Sequence, residues 1–322
     1  MRVLFVVMPF GGLRPAIGIS LLTAHLARAG VTAESLYLNL RFAELVRESD
    51  YDYVAERAPT QALAGDWVFA RAAFGPRDDA DAAYLAMLRE RFPALRDEGT
   101  AGALLRCRAA ADRFLDEALG AADWGAYDIV GFTSTFTQHV ASIALARRIK
   151  ERHPGVVVAF GGANCEAEMG LQLHRSFPFV DIVCGGEADL SFPRVVEALR
   201  AGGSAYEIPG VIARHGGESR YTDLTPERVK DLNTLPHPSY DDFFAQAGAS
   251  AAARRRQRAI LLESSRGCWW GQKHHCTFCG LNGTSMAFRS KSATRVLDEI
   301  TALSERYSPH YVEMVDNILD MH

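Results

Sequence analysis

The chain has 322 residues, 48% of them hydrophobic and 23% charged, with a formal net charge of −4. That length suits about two domains with a sizeable core, and the composition excludes a wholly disordered, fibrous or membrane-embedded chain. The charge gives no bulk electrostatic case for nucleic acid, and no apolar run approaches the ~20 residues that span a bilayer, so neither nucleic acid nor membrane is expected as a partner.

Residues 2–9, RVLFVVMP, form a continuous apolar run, as in a parallel strand buried on both faces. A signal peptide would need a longer apolar region and a small-residue cleavage site. The Gly/Pro loop FGGLRPAIG follows. Ile17–Arg28 then has helical spacing, with Leu21, Leu22, His25 and Leu26 on one face and Gly30 as the C-cap candidate. With a second strand at 31–38 this opening is βαβ. Residues 41–120 are dominated by Ala, Leu, Arg, Asp and Glu at helical spacing, and read as an inserted set of helices.

Strand–helix alternation resumes at Asp128. Strands are predicted at Asp128–Phe132, Val156–Phe160 and Val180–Cys184, and helices at Thr137–Arg152, Glu166–Ser176 and Leu190–Arg200. The fold class is therefore α/β: a doubly wound, parallel, Rossmann-like sheet with a helical insertion. Segment 208–222 reads as a β-hairpin with a Gly-Gly turn. Residues 224–258, with Pro226, Pro236 and Pro238, read as a linker, and a strand over Ala259–Ser264 opens a second domain. The expected units are thus 1–223, the linker 224–258, and 259–322.

Six cysteines without a secretion signal fit a reduced, cytoplasmic protein better than a disulfide framework. Three of them cluster as Cys268-WWGQKHH-Cys276-TF-Cys279, just after a predicted strand. Three thiolates on one loop can hold three irons of a [4Fe–4S] cluster and leave the fourth iron open. The alternative is zinc, with His274 or His275 as fourth ligand, although zinc knuckles usually pair two short ligand hairpins and no second one follows. Cys107, in a helix, and Cys165 and Cys184, at strand ends, are not expected to be ligands.

Open parallel sheets bind ligands outside the carboxyl ends of their strands. Here those ends carry Pro9, Gly11 and Gly12; Ser134, Thr135 and Gln138; Gly161, Gly162, Ala163 and Asn164; and Gly185, Gly186 and Glu187. Their glycines either let backbone approach a bulky ligand or only make tight βα turns. His139 on the same rim reads as helix-start packing.

The stretch LLESSRGCWWGQKHHCTFCGLNGTSMAFRSKSATRVLDEI resembles the start of the radical SAM domain in ribosomal-peptide (RiPP) maturation radical SAM proteins, a group of cobalamin-dependent radical SAM enzymes. Most of that superfamily has three residues between the first two cysteines; the seven here match the subgroup. GDWVFARAAFG at 65–75 is similar to the subgroup's helical segment. DIVGFTSTFTQ, VVVAFGGANCE and DIVCGGEADLSF are similar to cobalamin-binding domains fused to radical SAM barrels. The resemblance implies a [4Fe–4S] cluster on Cys268, Cys276 and Cys279, and cobalamin at the strand-end residues named above. It implies S-adenosylmethionine (SAM), with Phe278 near its adenine. Asp316 and Asn317 stand where such barrels bind its amino group, although the usual Gly-Gly-Glu-like stretch is replaced by YVEMVDNILD. The implied reaction is C-methylation of an unactivated carbon in a precursor peptide by way of a 5′-deoxyadenosyl radical and methylcobalamin. The implied electron donor is a flavodoxin or ferredoxin. The cobalamin motif Asp-x-His-x-x-Gly is absent from MPFGGLRPAIG, which implies no imidazole on the lower cobalt face. The competing class is a non-catalytic cobalamin-binding module with a zinc-bound or vestigial cysteine loop.

Arg254, Arg255, Arg256 and Arg258 read as a solvated linker, with contact to an acidic leader peptide as the alternative. From Ile260 onward 63 residues remain, against about 250 for a (β/α)8 barrel. The chain is therefore expected to be the N-terminal portion of a longer protein, with only the first βαβ unit of the barrel. Its strands at 260–264 and 311–315 should pair in parallel across a helix over Ala293–Tyr307, with Thr294 as N-cap and Val296, Leu297, Ile300 and Leu303 as its apolar face. The cysteine loop should then share a rim with Asp316 and Asn317 and face the strand-end loops of the first sheet.

Overall fold

The computed structural model describes residues 1–92, 98–280 and 286–320. Among these, the first 37 residues fold as β1 (Arg2–Val7), α1 (Ile17–Arg28) and β2 (Thr32–Tyr37). β1 is nearly continuous in apolar residues because both its faces are covered, and Val3 to Val7 are all buried. The insertion comprises α2 (Leu38–Leu45), α3 (Glu48–Asp52), α4 (Ala64–Phe74), α5 (Asp78–Arg91) and α6 (Glu98–Leu119). An aromatic cluster holds it to the sheet: Phe42 meets Phe69 at 5.3 Å and Phe114 at 4.9 Å, and Phe10, from the loop after β1, meets Phe42 edge-on at 5.5 Å.

β3 (Ile129–Thr133), α7 (His139–Arg152), β4 (Val157–Gly161), α8 (Ala167–Ser176), β5 (Ile182–Cys184) and α9 (Ser191–Arg200) follow. β6 (Val211–His215) and β7 (Glu218–Arg220) form the expected hairpin, but they join the main sheet antiparallel to β5. The sheet has seven strands in the order β2-β1-β3-β4-β5-β6-β7, the first five parallel. That order reverses at β1 and β3, a topological switch point of doubly wound sheets.

The segment read as a linker is structured. It carries α10 (Asp241–Ala249) and α11 (Ala251–Arg254), and α10 caps the open edge of β2. Ser35 donates its backbone N–H to Asp242 at 2.7 Å, and Tyr37 donates its own to Gln246 Oε1 at 2.9 Å. Gln246 Nε2 donates to the Ser35 carbonyl at 2.7 Å. Side chains thus satisfy an edge that would otherwise present unpaired backbone groups. The arginine run is docked only in part: Arg256 is half-buried and pairs with Asp52 of α3, while Arg254, Arg255 and Arg258 are exposed as the solvated reading expects, Arg255 pairing with Glu48 and the Arg258 guanidinium lying 4.9 Å from the Phe244 ring centre. The prolines upstream suggested an irregular connection; the acidic partners on α3 could not be paired with this run from the sequence alone.

The remaining elements are β8 (Ala259–Leu262), β9 (Ser265–Arg266), β10 (Arg289–Ser290), α12 (Ala293–Tyr307) and β11 (Tyr311–Met314). β8 and β11 pair in parallel from Ala259↔Tyr311 to Leu262↔Met314 across α12, as expected. Two details of α12 differ. Its N-cap is Ser292, whose hydroxyl accepts from the Arg295 N–H, because the helix begins at Ala293 and leaves Thr294 inside its first turn. Leu297 is 64% exposed while Leu303 and Tyr307 are buried, so the apolar face runs through 296, 300, 303 and 307. Tyr240 fastens this unit to the first: its hydroxyl donates to the Leu261 carbonyl at 2.6 Å, and its N–H donates to the Tyr307 hydroxyl at 2.9 Å.

Candidate functional site

The loops at the carboxyl ends of β1, β3, β4 and β5 form one rim. Gln138 Nε2 donates to the Met8 carbonyl at 2.6 Å, tying the β3 loop to the β1 loop beside Pro9 and Gly11. Ser134 is fully buried; its N–H donates to the Gly161 carbonyl at 2.8 Å, and its hydroxyl meets His139 Nδ1 at 2.8 Å. Asn164 donates through Nδ2 to Ser134 Oγ at 3.1 Å and to the Phe136 carbonyl at 2.8 Å. Gly162 sits at φ +96°, and a Cβ there would come 2.5 Å from the Ser134 carbonyl oxygen. Only glycine allows β3 and β4 to deliver their loops this close together. Thr135 is half-buried beside this knot and Ala163 is exposed on it. His139 opens α7, as the sequence reading had it, and burial lowers its pKa, so it holds a neutral ring against Ser134.

Asp66 of α4 lies beneath this rim and accepts from the Val140 N–H at 2.9 Å. Burial raises its carboxyl to about 6, against the pull of the backbone N–H groups of Val140 and His139. A carboxyl whose folded pKa is raised costs stability as pH climbs from its ordinary value through that folded value. Asp66→Asn keeps the acceptor and removes the charge. Relative to the parent it should match in stability near pH 4 and gain on the order of 2 kcal/mol above pH 6, read as denaturation midpoints at both pH values.

Below the rim lies an apolar cavity of about 240 Å³ between β3, β4 and β5 and helices α1 and α9. Leu21, Leu22, Phe132, Phe160 and Phe192 wall it, and Gly18, Gly161, Gly162 and Gly186 leave it room. Arg266 from the second unit closes it, beside Glu187 and Asp189.

Arg266 is the hub of an ion network joining the two units. Its Nη1 reaches Asp189 at 2.6 Å and Glu187 at 3.1 Å, and its Nη2 reaches Glu263 at 2.6 Å. Arg289 pairs with Glu187 from β10, and His25 Nε2 lies 3.7 Å from Asp189. Burial alone would raise both carboxyls. Hydrogen bonding and charge from Arg289 and Arg266 hold Glu187 below its ordinary range instead, and His25 and Arg266 do the same for Asp189. Their stabilising contribution is therefore present above the ordinary carboxylate pKa and lost as pH falls through the depressed values.

The cysteine loop leaves the same end of β8. Cys268, Cys276 and Cys279 are half-buried; the Gly271 N–H donates to Cys268 Sγ at 3.2 Å, and the Cys279 N–H donates to the Cys276 carbonyl at 3.1 Å. Among the described residues no group of three His, Cys, Asp or Glu side chains is gathered as a metal site. The donor set nevertheless suits an iron–sulfur cluster: three thiols on one loop, one already receiving an N–H···S bond of the kind that tunes such clusters. Desolvation pushes the buried Cys107 and Cys184 thiols up to about 12 and raises Cys165 further, which leaves those three as inert apolar groups.

Asp316 stands at the end of β11 on this rim. Its Oδ1 accepts from the Ser264 N–H at 2.8 Å, from the Ser265 N–H and from the Ser265 hydroxyl at 2.9 Å, while its buried Oδ2 has no partner. Asn317 lines a cavity of about 300 Å³ with Gly186, Glu187, Arg266 and Gly267, so the end of β11 and the residues that lead into the cysteine loop face the β5 loop of the first sheet. Phe278 is 91% exposed and makes no packed site by itself. Glu187 is engaged by Arg266 and Arg289. The sequence reading missed Arg266 and Arg289 as the connection between rims; Arg266 stands two residues before Cys268, and that adjacency was the available signal. Phe136 is 67% exposed on the β3 loop at φ +50°.

No protein-family model matches the chain. It is 32% identical over 174 residues to a 2-(S-pantetheinyl)-carbapenam-3-carboxylate methyltransferase of Streptantibioticus cattleyicolor, covering 52% of this chain and 24% of that protein. It is 28% identical over 171 residues to the cobalamin-dependent radical SAM methyltransferase TokK of Streptomyces tokunonensis, covering 52% and 24%. Its fold matches that of the radical S-adenosylmethionine methyltransferase TsrM of Kitasatospora setae, solved with cobalamin and a [4Fe–4S] cluster bound, at a TM-score of 0.55 and 15% identity over 98% of this chain and 49% of that one. The chain thus spans about a quarter of the length of the two curated relatives and about half of the solved structure. It is related in sequence to cobalamin-dependent radical SAM methyltransferases and shares their α/β fold.

Proposed function

We propose that the chain is the cofactor-binding part of a cobalamin-dependent radical SAM methyltransferase that C-methylates a ribosomally made peptide. The observation that carries the cofactor reading is the meeting of two rims. The strand ends that would hold cobalamin and the strand that leads into the loop with three thiols are joined at Arg266, which reaches Asp189 at 2.6 Å and Glu187 at 3.1 Å. The peptide substrate rests on the resemblance around Cys268, and TokK and TsrM support the methyltransferase reading.

In this reading each group has candidate residues. The Gly-rich strand ends, from Gly11 through Asn164 to Gly186, would take the corrin, and the apolar cavity under them suits the flat base of its nucleotide tail. Cys268, Cys276 and Cys279 would hold the cluster, leaving one iron for SAM. The unpaired Asp316 Oδ2 offers an acceptor to an ammonium group, with Asn317 beside it and Phe278 free to close over an adenine. Bound together, these groups supply reductive SAM cleavage and a transferable methyl. A flavodoxin or ferredoxin is the electron donor of this reading.

No histidine stands in the β1 loop, residues 8–16. Electron paramagnetic resonance of the protein loaded with cob(II)alamin should therefore show no nitrogen superhyperfine splitting from an axial base. A triplet splitting would refute the open lower face. Mass spectrometry of the peptide produced together with the complete enzyme should show a gain of one CH2 per event, and its absence would refute methylation.

A further inference from the structure

Arg266 touches more than the interface requires. Its guanidinium closes the apolar cavity of the first unit, and it also lines the cavity that reaches Asn317. Its backbone belongs to β9, paired with β10 through Arg266↔Arg289. The next residue, Gly267, is fixed at φ +85°, where a Cβ would lie 2.2 Å from the Ala287 carbonyl oxygen. The residue after that is Cys268, whose N–H donates to the Met286 carbonyl at 3.2 Å. Only one residue, a glycine whose close approach to Ala287 excludes any side chain, separates the arginine from a ligand position.

We propose that Arg266 is a positioning residue for Cys268, and that it couples occupancy of the sheet cavity to the set of the cysteine loop. This rests on the cobalamin reading above. A ligand filling the cavity packs against the Arg266, Glu187 and Asp189 groups and displaces water from them. Lower local polarity strengthens the ion pairs, which pins Arg266 and with it the loop. Coupling of this kind is reciprocal, so a loop organised around its cluster tightens binding in the cavity by the same factor.

The test uses the metal-free full chain under reducing conditions. Iodoacetamide labelling rates at Cys268 are followed by peptide mass spectrometry with and without cyanocobalamin, with Cys107 as the buried control. Cyanocobalamin should slow labelling of Cys268 at least about 5-fold in the parent, within the usual range of allosteric coupling. Arg266→Gln and Asp189→Asn, which alter the cavity wall, should bind cyanocobalamin more weakly by about the same factor of 5, and at saturating cyanocobalamin should lose that protection. Asp189→Asn changes only the other unit and keeps its shape, so it serves if Arg266→Gln does not fold. A purely structural role would change both labelling rates and leave their ratio unmoved. If the parent fails to bind cyanocobalamin, the cobalamin reading falls. If it binds with no change at Cys268, or if both variants keep full protection because the corrin itself covers the thiol, the role of Arg266 falls while the cobalamin reading stands.

Discussion

Gly18→Phe should abolish cobalamin binding and leave the protein folded. Gly18 lies in the first turn of α1 at the mouth of the apolar cavity, and a Cβ built there meets no atom within 4 Å. A benzyl group can therefore enter the 240 Å³ space without disturbing backbone. Phe is also a better helix former than Gly, by about 0.4 kcal/mol. The nucleotide tail then has no room, and affinity should fall by at least about 100-fold, or roughly 3 kcal/mol, in an absorbance titration. A melting temperature no lower than the parent's in the same sample separates blocked binding from damage. Retained affinity would mean that the cavity is not where the tail goes.

The second large effect is at the cysteines. Cys268→Ala, Cys276→Ala and Cys279→Ala should each bring iron after anaerobic reconstitution from about four atoms per chain to near zero. Cys107→Ala should keep its iron and lose on the order of 1 kcal/mol of stability for the small cavity it leaves inside α6. The contrast follows from environment. Three thiols are half-exposed on one loop, and three are buried with raised pKa values.

What the sequence made legible was local. The unbroken apolar run of β1, the glycines after β4 and β5, the helix over Ala293–Tyr307 and the three-cysteine loop each carry a short-range signal, and each lies where it was expected. The parallel pairing of β8 with β11 was legible too, because a crossover helix between two strands leaves one hand and one register direction. What was not legible depends on contacts across more than fifty residues. Gln246 capping β2, Glu48 and Asp52 receiving the arginine run, and Glu187 with Asp189 gripping Arg266 are pairings between segments of separately ordinary composition. Glu187 illustrates the point. Its place after Gly185 and Gly186 suggested a cofactor contact, and only the fold brings Arg266 and Arg289 to it. Likewise the cap of α12 moved from Thr294 to Ser292, since both residues can cap and only the actual helix start chooses between them.

The central claim is that one chain holds a cobalt cofactor at its sheet and an iron–sulfur cluster on its cysteine loop. Metal analysis of the full chain, reconstituted anaerobically with iron, sulfide and cobalamin in the presence of competing zinc and then desalted, tests it in one measurement. About four irons and about one cobalt per chain, with zinc absent, is the expected result. Zinc near one equivalent with no iron, whether or not cobalt is retained, would contradict it and leave a zinc-bound module in place of the enzyme.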